Sequence, residues 1–315
     1  MPSRGLLASV VIGALLAMAS VTTASAAVDR PVLTPGDFWT YRTNSTLLPG
    51  LYLVGEVTSQ VMGQERMTVE GVTMDAYRIQ VTGTGDASGQ LRSTFMNGSI
   101  RGSWRVTGQE LLEPSELKVV STVLDLSVNG TFQGVIPFSA RVQNTTTFRI
   151  LEDAWRFPLE VGRTGHVTVL FNYTEDRYGF GETGNRTTGS GIWVLNYTME
   201  ARTDVSVWAR TFDAYRIRED WPGGGYSLLF FAPSVGNNVR TESYNDTGSL
   251  TATTELVAYR YQVVSPPTFL GLPSWQWGLA AGGIAAVALL AWSRRRSRKR
   301  SQQIPSFEEA RPPSP

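Results

Sequence analysis

The chain has 315 residues, a formal net charge of +1, a single histidine and no cysteine. That inventory excludes disulfides, thiolate metal sites, a thiol nucleophile and a lipid-modified N-terminal cysteine, as well as any device that needs two histidines. A core built without cross-links must therefore come from apolar burial alone, which a chain of this length can supply.

In chain order, Arg4, the apolar run Leu6–Met18 and the small-residue site Ala24-Ser25-Ala26 read as a secretory signal peptide covering residues 1–27. The apolar run is too short to span a bilayer comfortably. Cleavage near Ala26 or Ala27 leaves an exported ectodomain. Outside the signal and the C-terminal tail remain 20 basic and 25 acidic residues. A mildly acidic exterior argues against nucleic acid as a partner, because phosphate binding needs a basic patch.

From about residue 28 to residue 264 the pattern is β throughout, with short runs rich in Val, Thr, Tyr, Phe and Trp broken by Gly, Asn, Asp and Ser. The predicted fold class is all-β: two tandem antiparallel β-units, each a curved sheet, half-barrel or sandwich, at 28–150 and 151–264. Asn129-Gly130 predicts a type I′ hairpin turn between Leu117–Val128 and Thr131–Phe138, with Val120, Thr122, Leu124, Leu126 and Val128 on one face. Pro137 then marks an edge or a strand end. The pentapeptide Asp-Ala-Tyr-Arg-Ile occurs twice, at Asp75–Ile79 and Asp213–Ile217. Period 2 places Tyr77 with Ile79, and Tyr215 with Ile217, on one face, opposite Arg78 and Arg216. This suggests two related units meeting near 151–160. The glycine-rich stretch Tyr178–Gly191 reads as a mobile connection, and Trp221–Gly225 as a turn between strands.

Eight of the ten asparagines sit in Asn-x-Ser/Thr: Asn44, Asn97, Asn129, Asn144, Asn172, Asn185, Asn196 and Asn245. With 60 Ser and Thr in 315 residues, chance would place about two there. The enrichment predicts N-glycosylation on an exported surface.

Catalytic groups are not found. The apolar alternates Val167, Val169, Phe171 and Tyr173 put His166 on the opposite, solvated face with Thr168 and Asn172. The acidic pairs Glu152-Asp153, Glu175-Asp176 and Glu219-Asp220 are adjacent on strands, so their members face opposite ways and cannot serve one substrate together. Neither a nucleophile elbow nor an EF-type calcium loop is present. The sequence predicts no catalytic, cofactor-binding or metal-binding residue and no enzyme.

After a linker at 265–273, residues 274–292 include Trp275–Trp292, eighteen residues in which only Gln276 is strongly polar. At 1.5 Å per residue they reach about 27 Å, one hydrocarbon core. Indoles at both borders suit the headgroup level. The cluster Arg294, Arg295, Arg296, Arg298, Lys299 and Arg300 reads as a stop-transfer signal that stays cytoplasmic. The predicted topology is type I, with the N-terminus outside and a short basic tail at 293–315. Gly278, Gly282 and Ala286 share one helix face at four-residue spacing, a candidate for homodimer packing within the membrane.

The segments VWARTFDAYRI (Val207–Ile217), FFAPSVGNNVRTESY (Phe231–Tyr244) and ELVAYRY (Glu255–Tyr261) resemble uncharacterised secreted β-domains of archaea and bacteria. Those domains carry a Gly-Thr-Phe-x-Ala-Tyr strand, an aromatic-Ala-Pro-x-Val-Gly strand and a Glu-Leu-x-x-Tyr strand. Arg210 stands where that pattern has Gly, and the likeness covers roughly residues 155–263. Such domains are similar to the lipoprotein-carrier fold, a curved half-barrel whose concave face holds acyl chains. With the span and the sequons, the chain looks like an archaeal surface glycoprotein. The resemblance implies a binding ectodomain for a lipid or other apolar ligand; the alternative is a structural or adhesive envelope component, with envelope proteins as partners.

Overall fold

The computed structural model describes residues 31–48, 51–69, 71–92, 97–114, 118–154, 160–179 and 182–261. The predicted signal peptide, linker, span and basic tail lie outside the described residues, as do the helix-packing candidates Gly278, Gly282 and Ala286. Among the described residues no helix is long and apolar enough to cross a membrane.

Twelve strands follow one another: β1 (Phe38–Leu48), β2 (Leu51–Val69), β3 (Val72–Arg92), β4 (Asn97–Leu112), β5 (Val119–Phe132), β6 (Ile136–Asp153), β7 (Thr164–Gly179), β8 (Glu182–Ser206), β9 (Thr211–Asp220), β10 (Tyr226–Ala232), β11 (Asn237–Tyr244) and β12 (Leu250–Arg260). Each pairs antiparallel with the next, and β1 pairs with β12, so the sheet closes into an up-and-down barrel. Closure removes the free edges that two separate half-barrels would expose. The expected boundary near 151–160 falls between β6 and β7, and each half of the chain contributes six strands to the one barrel. Phe38 pairs with Arg260, so both ends of the described chain lie at the same end of the barrel, here the proximal end.

The two DAYRI copies occupy β3 and β9, the third strand of each half. In both, the register shifts on the preceding strand at the Arg-Ile step: between Val61 and Gly63 opposite Ile79 and Arg78, and between Met199 and Ala201 opposite Ile217 and Arg216. Arg78 and Arg216 each pair with a glutamate of the preceding strand, Glu65 at 3.1 Å and Glu200 at 2.8 Å. Tyr77, Ile79, Tyr215 and Ile217 are all buried in one apolar core.

Alternation decides which wall faces inward. Val167, Val169, Phe171 and Tyr173 of β7 are buried, as are Trp193, Leu195, Tyr197 and Met199 of β8. The outer wall carries ion pairs, with Arg141 on Asp125, Arg186 on Asp176 and Arg202 on Asp213 bridging neighbouring strands, alongside exposed Val123, Leu151, Ile192 and Val194. An apolar interior inside a charged wall is the reverse of a membrane-spanning barrel, which turns its apolar residues to lipid. The barrel is built to stand in water.

Glycines set the curvature. Gly55, Gly85 and Trp104 lie side by side on β2, β3 and β4, and the Trp104 indole donates across both glycines to the Val54 carbonyl at 3.2 Å. A Cβ on Gly85 would stand 2.1 Å from that same oxygen. The bare backbones let the wall bend tightly around a fully buried tryptophan.

Three local expectations need correction. Asn129-Gly130 lies inside β5, opposite Ser139 and Phe138, and the turn falls three residues later, where Gln133 and Gly134 have φ of 53° and 76°. Gly130 is required by packing instead, because a Cβ there would meet the Arg101 carbonyl at 2.3 Å. Val120 also leaves the predicted face: a register shift between Leu111 and Leu112 turns it outward, into a small cluster with Ala76 and Leu111. The stretch Tyr178–Gly191 is mostly strand, with Gly189 and Gly191 lying under the rings of Tyr173 and Phe171. Trp221–Gly225 is the expected turn, closed by a hydrogen bond from the Trp221 amide to the Gly225 carbonyl.

Candidate functional site

The proximal end of the interior is packed with aromatic side chains. Trp39 donates its indole N–H to the Val235 carbonyl at 3.0 Å, and the Tyr41 hydroxyl donates to the Asn238 carbonyl at 3.1 Å. Tyr261 lies over Gly236 and beside Trp39. The turn between β10 and β11 is thereby tied to the start of β1.

Further in, polar groups interrupt the apolar lining. Ser243, Ser227, Glu219 and Tyr197 stand side by side on β11, β10, β9 and β8. Ser227 and Ser243 hydroxyls are 3.1 Å apart, and the Tyr197 hydroxyl donates to Glu219 Oε1 at 2.8 Å. Glu219 is fully buried, and the Trp221 indole also faces its carboxyl. Burial pushes its pKa well up, against the hydrogen bond from Tyr197 that pulls it down. Tyr197 is raised as well, first by burial and then by the adjacent Glu219.

A second carboxyl lies on β4. Glu110 is fully buried between Ile79 of β3 and Thr122 of β5, and neither of its oxygens has a protein partner. Burial alone holds its pKa well above the ordinary glutamate value. The Thr122 hydroxyl is also unpartnered, as are those of Thr43, Ser45, Ser59 and Thr254 on β1, β2 and β12. Deeper on β6 and β7, Thr146 donates to Asn144 at 2.7 Å, and buried Glu175 is paired with Arg177. Lys118 and Asp153 form a buried ion pair beside the β4–β5 and β6–β7 connections.

Burial shifts Glu110 and Glu219 toward their protonated, hydrogen-bond-donating form. A protonated carboxyl donates one hydrogen bond, which suits an uncharged acceptor such as a carbonyl, ether or hydroxyl oxygen. Glu110 and Glu219 sit on β4 and β9, five strands apart around the barrel. Among the described residues no cluster of three His, Asp or Glu could hold a metal ion. His166 lies on the outer wall, its Nε2 3.3 Å from Glu152. On the outside, Met62, Arg78, Gln80, Gly108 and Gln109 line a shallow polar groove of about 220 Å³.

Each acidic doublet divides between the walls: Asp153, Glu175 and Glu219 are buried, while Glu152, Asp176 and Asp220 pair or stand on the outer side. Sequence reasoning passed over Glu110 and the inward member of each doublet. The signal was present in the alternation Val106, Gly108, Glu110, Leu112, where one apolar face carries an acid.

The sequons divide too. Asn44, Asn129, Asn185 and Asn196 are exposed on the outer wall, Asn172 lies half-buried there, Asn97 opens β4 and Asn245 sits in the β11–β12 turn. Asn144 is the exception. Its side chain is 5% exposed, faces inward and accepts the Thr146 hydroxyl, so the folded wall has no room for a glycan there.

The chain matches no family model, and no curated protein matches it. Two solved structures are similar. One is a presumed exported protein with a YmcC-like fold from Bacteroides fragilis NCTC 9343, at 14% identity over 74% of this chain and 98% of that one, with a TM-score of 0.31. The other is a presumed lipoprotein from Parabacteroides distasonis ATCC 8503, at 13% identity over the same shares, with a TM-score of 0.28. Likeness at this level carries no conclusion about role.

Proposed function

We propose that this chain is a membrane-anchored, N-glycosylated surface protein whose barrel is a non-catalytic binding module for a lipid or other apolar molecule. The observation that carries the reading is the interior: a lining of large apolar side chains interrupted by the buried carboxyls of Glu110 and Glu219 and by hydroxyls without protein partners. Leaving such groups buried and unmet costs about 1–3 kcal/mol each. A molecule with an apolar body and an uncharged oxygen would satisfy both kinds of surface. Twelve strands also enclose a wider interior than the eight that side chains alone can fill.

The remaining parts of the proposal come from the sequence. Residues 274–292 form the span, residues 294–300 hold the tail inside, and the seven sequons other than Asn144 carry the glycans. Gly278, Gly282 and Ala286 bring two spans together. A second reading, a structural or adhesive envelope component, is favoured by the exposed apolar tip at Val135 and Ile136, 77% and 53% exposed. Native mass spectrometry of the full chain, extracted from its own membrane, separates the two. The binding reading expects a lipid-sized adduct released on denaturation, together with glycan heterogeneity and a dimer. A bare glycoprotein mass under every extraction condition would overturn it in favour of the envelope role.

A further inference from the structure

The sequons differ in how the barrel holds their backbone. Asn44 lies in β1 between β12 and β2, Asn129 in β5 between β4 and β6, Asn172 in β7 between β6 and β8, and Asn196 in β8 between β7 and β9, so each is paired on both sides. Asn97 and Asn185 open β4 and β8 beside their hairpin partners Arg92 and Arg177. Asn245 is held by a turn. Its amide donates to the Ser249 carbonyl at 3.0 Å, and the Gly248 amide donates back to the Asn245 carbonyl at 3.0 Å, with Gly248 at φ 74°. Inside this turn the Asn245 side-chain oxygen accepts three hydrogen bonds, from the Thr247 amide at 3.0 Å, the Thr247 hydroxyl at 2.7 Å and the Ser249 amide at 2.8 Å. An asparagine folded over its own backbone in this way is a turn-forming device. Two of the three donors are backbone N–H groups, which fixes the oxygen on the inner side and leaves Nδ2 on the other. That nitrogen donates to no group among the described residues, and residues 246–250 are all exposed. Thr247 is the third residue of the sequon, so the hydroxyl that defines the motif already rests on the carboxamide it serves. Asn144 receives the same contact from Thr146, but in a buried, extended strand.

We propose that Asn245 is the acceptor that a glycosyl transferase can use on the folded barrel, whereas Asn44, Asn129, Asn172 and Asn196 take sugar before their strands pair. In the transfer, Nδ2 bonds to the anomeric carbon of a lipid-linked glycosyl phosphate. The bond from that carbon to the phosphate oxygen breaks, the lipid phosphate leaves, and one N–H proton passes to a base of the transferase. For this the enzyme must draw the whole tripeptide into its own cleft. In an exposed turn that is a local motion. In a strand with a neighbour about 4.8 Å away on either side it breaks two ladders, and in a closed barrel such an opening approaches global unfolding. Sugar on Asn245 also costs the turn little, because it replaces one N–H and leaves the oxygen to accept its three hydrogen bonds. The inference rests on the glycosylation reading and adds an order to it: strand sites first, the turn at any stage.

The full chain, made in a host without N-glycosylation and shown by cooperative melting to be folded in detergent, is incubated with detergent-solubilised membranes of its own cells, which supply transferase and lipid-linked sugar. Short peptides around the same five sequons serve as unpaired controls, and mass spectrometry maps the modified asparagines. Relative to its own peptide, Asn245 in the folded chain should be modified about as readily, and each of the four strand sites severalfold less. Strand sites modified in the folded chain as readily as in their peptides overturn the order. An Asn245 that is modified in its peptide and not in the folded chain overturns the assignment of the turn. Peptides that take no sugar at all remove the glycosylation reading, and this inference with it.

Discussion

Glu110 and Glu219 give the barrel an unusual pH response. Burial raises the pKa of both in the fold, whereas in the unfolded chain they ionise above the ordinary glutamate value of 4.5. The folded state therefore binds more protons than the unfolded state over the range between the two values, and stability falls as pH rises through that range. Each group contributes a slope of at most about 1.4 kcal/mol per pH unit. The outer carboxylates act in the opposite sense. Hydrogen bonds from Arg141, Arg186 and Arg202 hold Asp125, Asp176 and Asp213 below their ordinary value of 3.8, so what they contribute is present above that value and lost as pH falls through the lowered ones. Stability should peak at about pH 4 to 5, where both sets are in their favoured state. Thermal unfolding from pH 4 to 8 tests this: the melting temperature should decline toward pH 8, and Glu110→Gln with Glu219→Gln should flatten the decline. An unchanged slope in the double variant would mean that other groups carry it.

At the scale of single elements, the β5–β6 hairpin shows what alternation reveals and what it hides. The pairing of two strands on either side of residues 129–136 was legible, and the inward face Thr122, Leu124, Leu126, Val128 followed from period 2. The turn was not legible, because glycine in a strand has two uses. At Gly134 it supplies a positive φ; at Gly130 it lets β4 approach at Gly102. A sequence shows the residue and not the reason. The two reasons predict different costs: Gly134→Ala should lose roughly 1 kcal/mol from backbone strain. Gly130→Ala should lose more, of the order of 1–3 kcal/mol, because its methyl meets a carbonyl that cannot move away cheaply. Urea unfolding of the two variants measures both, and equal costs would contradict the packing role. The glycine-rich start of β8 was misread for the same reason: Gly189 and Gly191 make room for Tyr173 and Phe171 rather than loosening the chain. Conversely, the opposite orientation of adjacent acids in each doublet was legible from period 2 alone. What no local pattern could give is that Glu110 and Glu219 share one enclosed interior, since that depends on the closure of strands far apart in sequence.

On the scale of the whole molecule, the described strands form one closed barrel with an apolar interior and cross-strand ion pairs on its outer wall. The recurrence of DAYRI with the same register shift on its neighbouring strand places matching features in both six-strand halves, and the two halves meet at the β6–β7 and β1–β12 seams. Closure leaves the described sheet without a free edge. It hides every ladder edge from proteases and from other chains without the help of disulfides. The described strands are paired along their length, so the cut that frees the barrel should fall between Tyr261 and Trp275, ahead of the predicted span. The central claim is that this barrel is held outdoors by that span. It is tested most directly by adding protease to intact cells and following the chain with one antibody to the barrel and another to the tail. The account predicts that the barrel is released into the medium as a glycosylated fragment while the tail epitope stays with the cells. A full-length chain that survives protease on intact cells, yet is digested once they are broken, would contradict it.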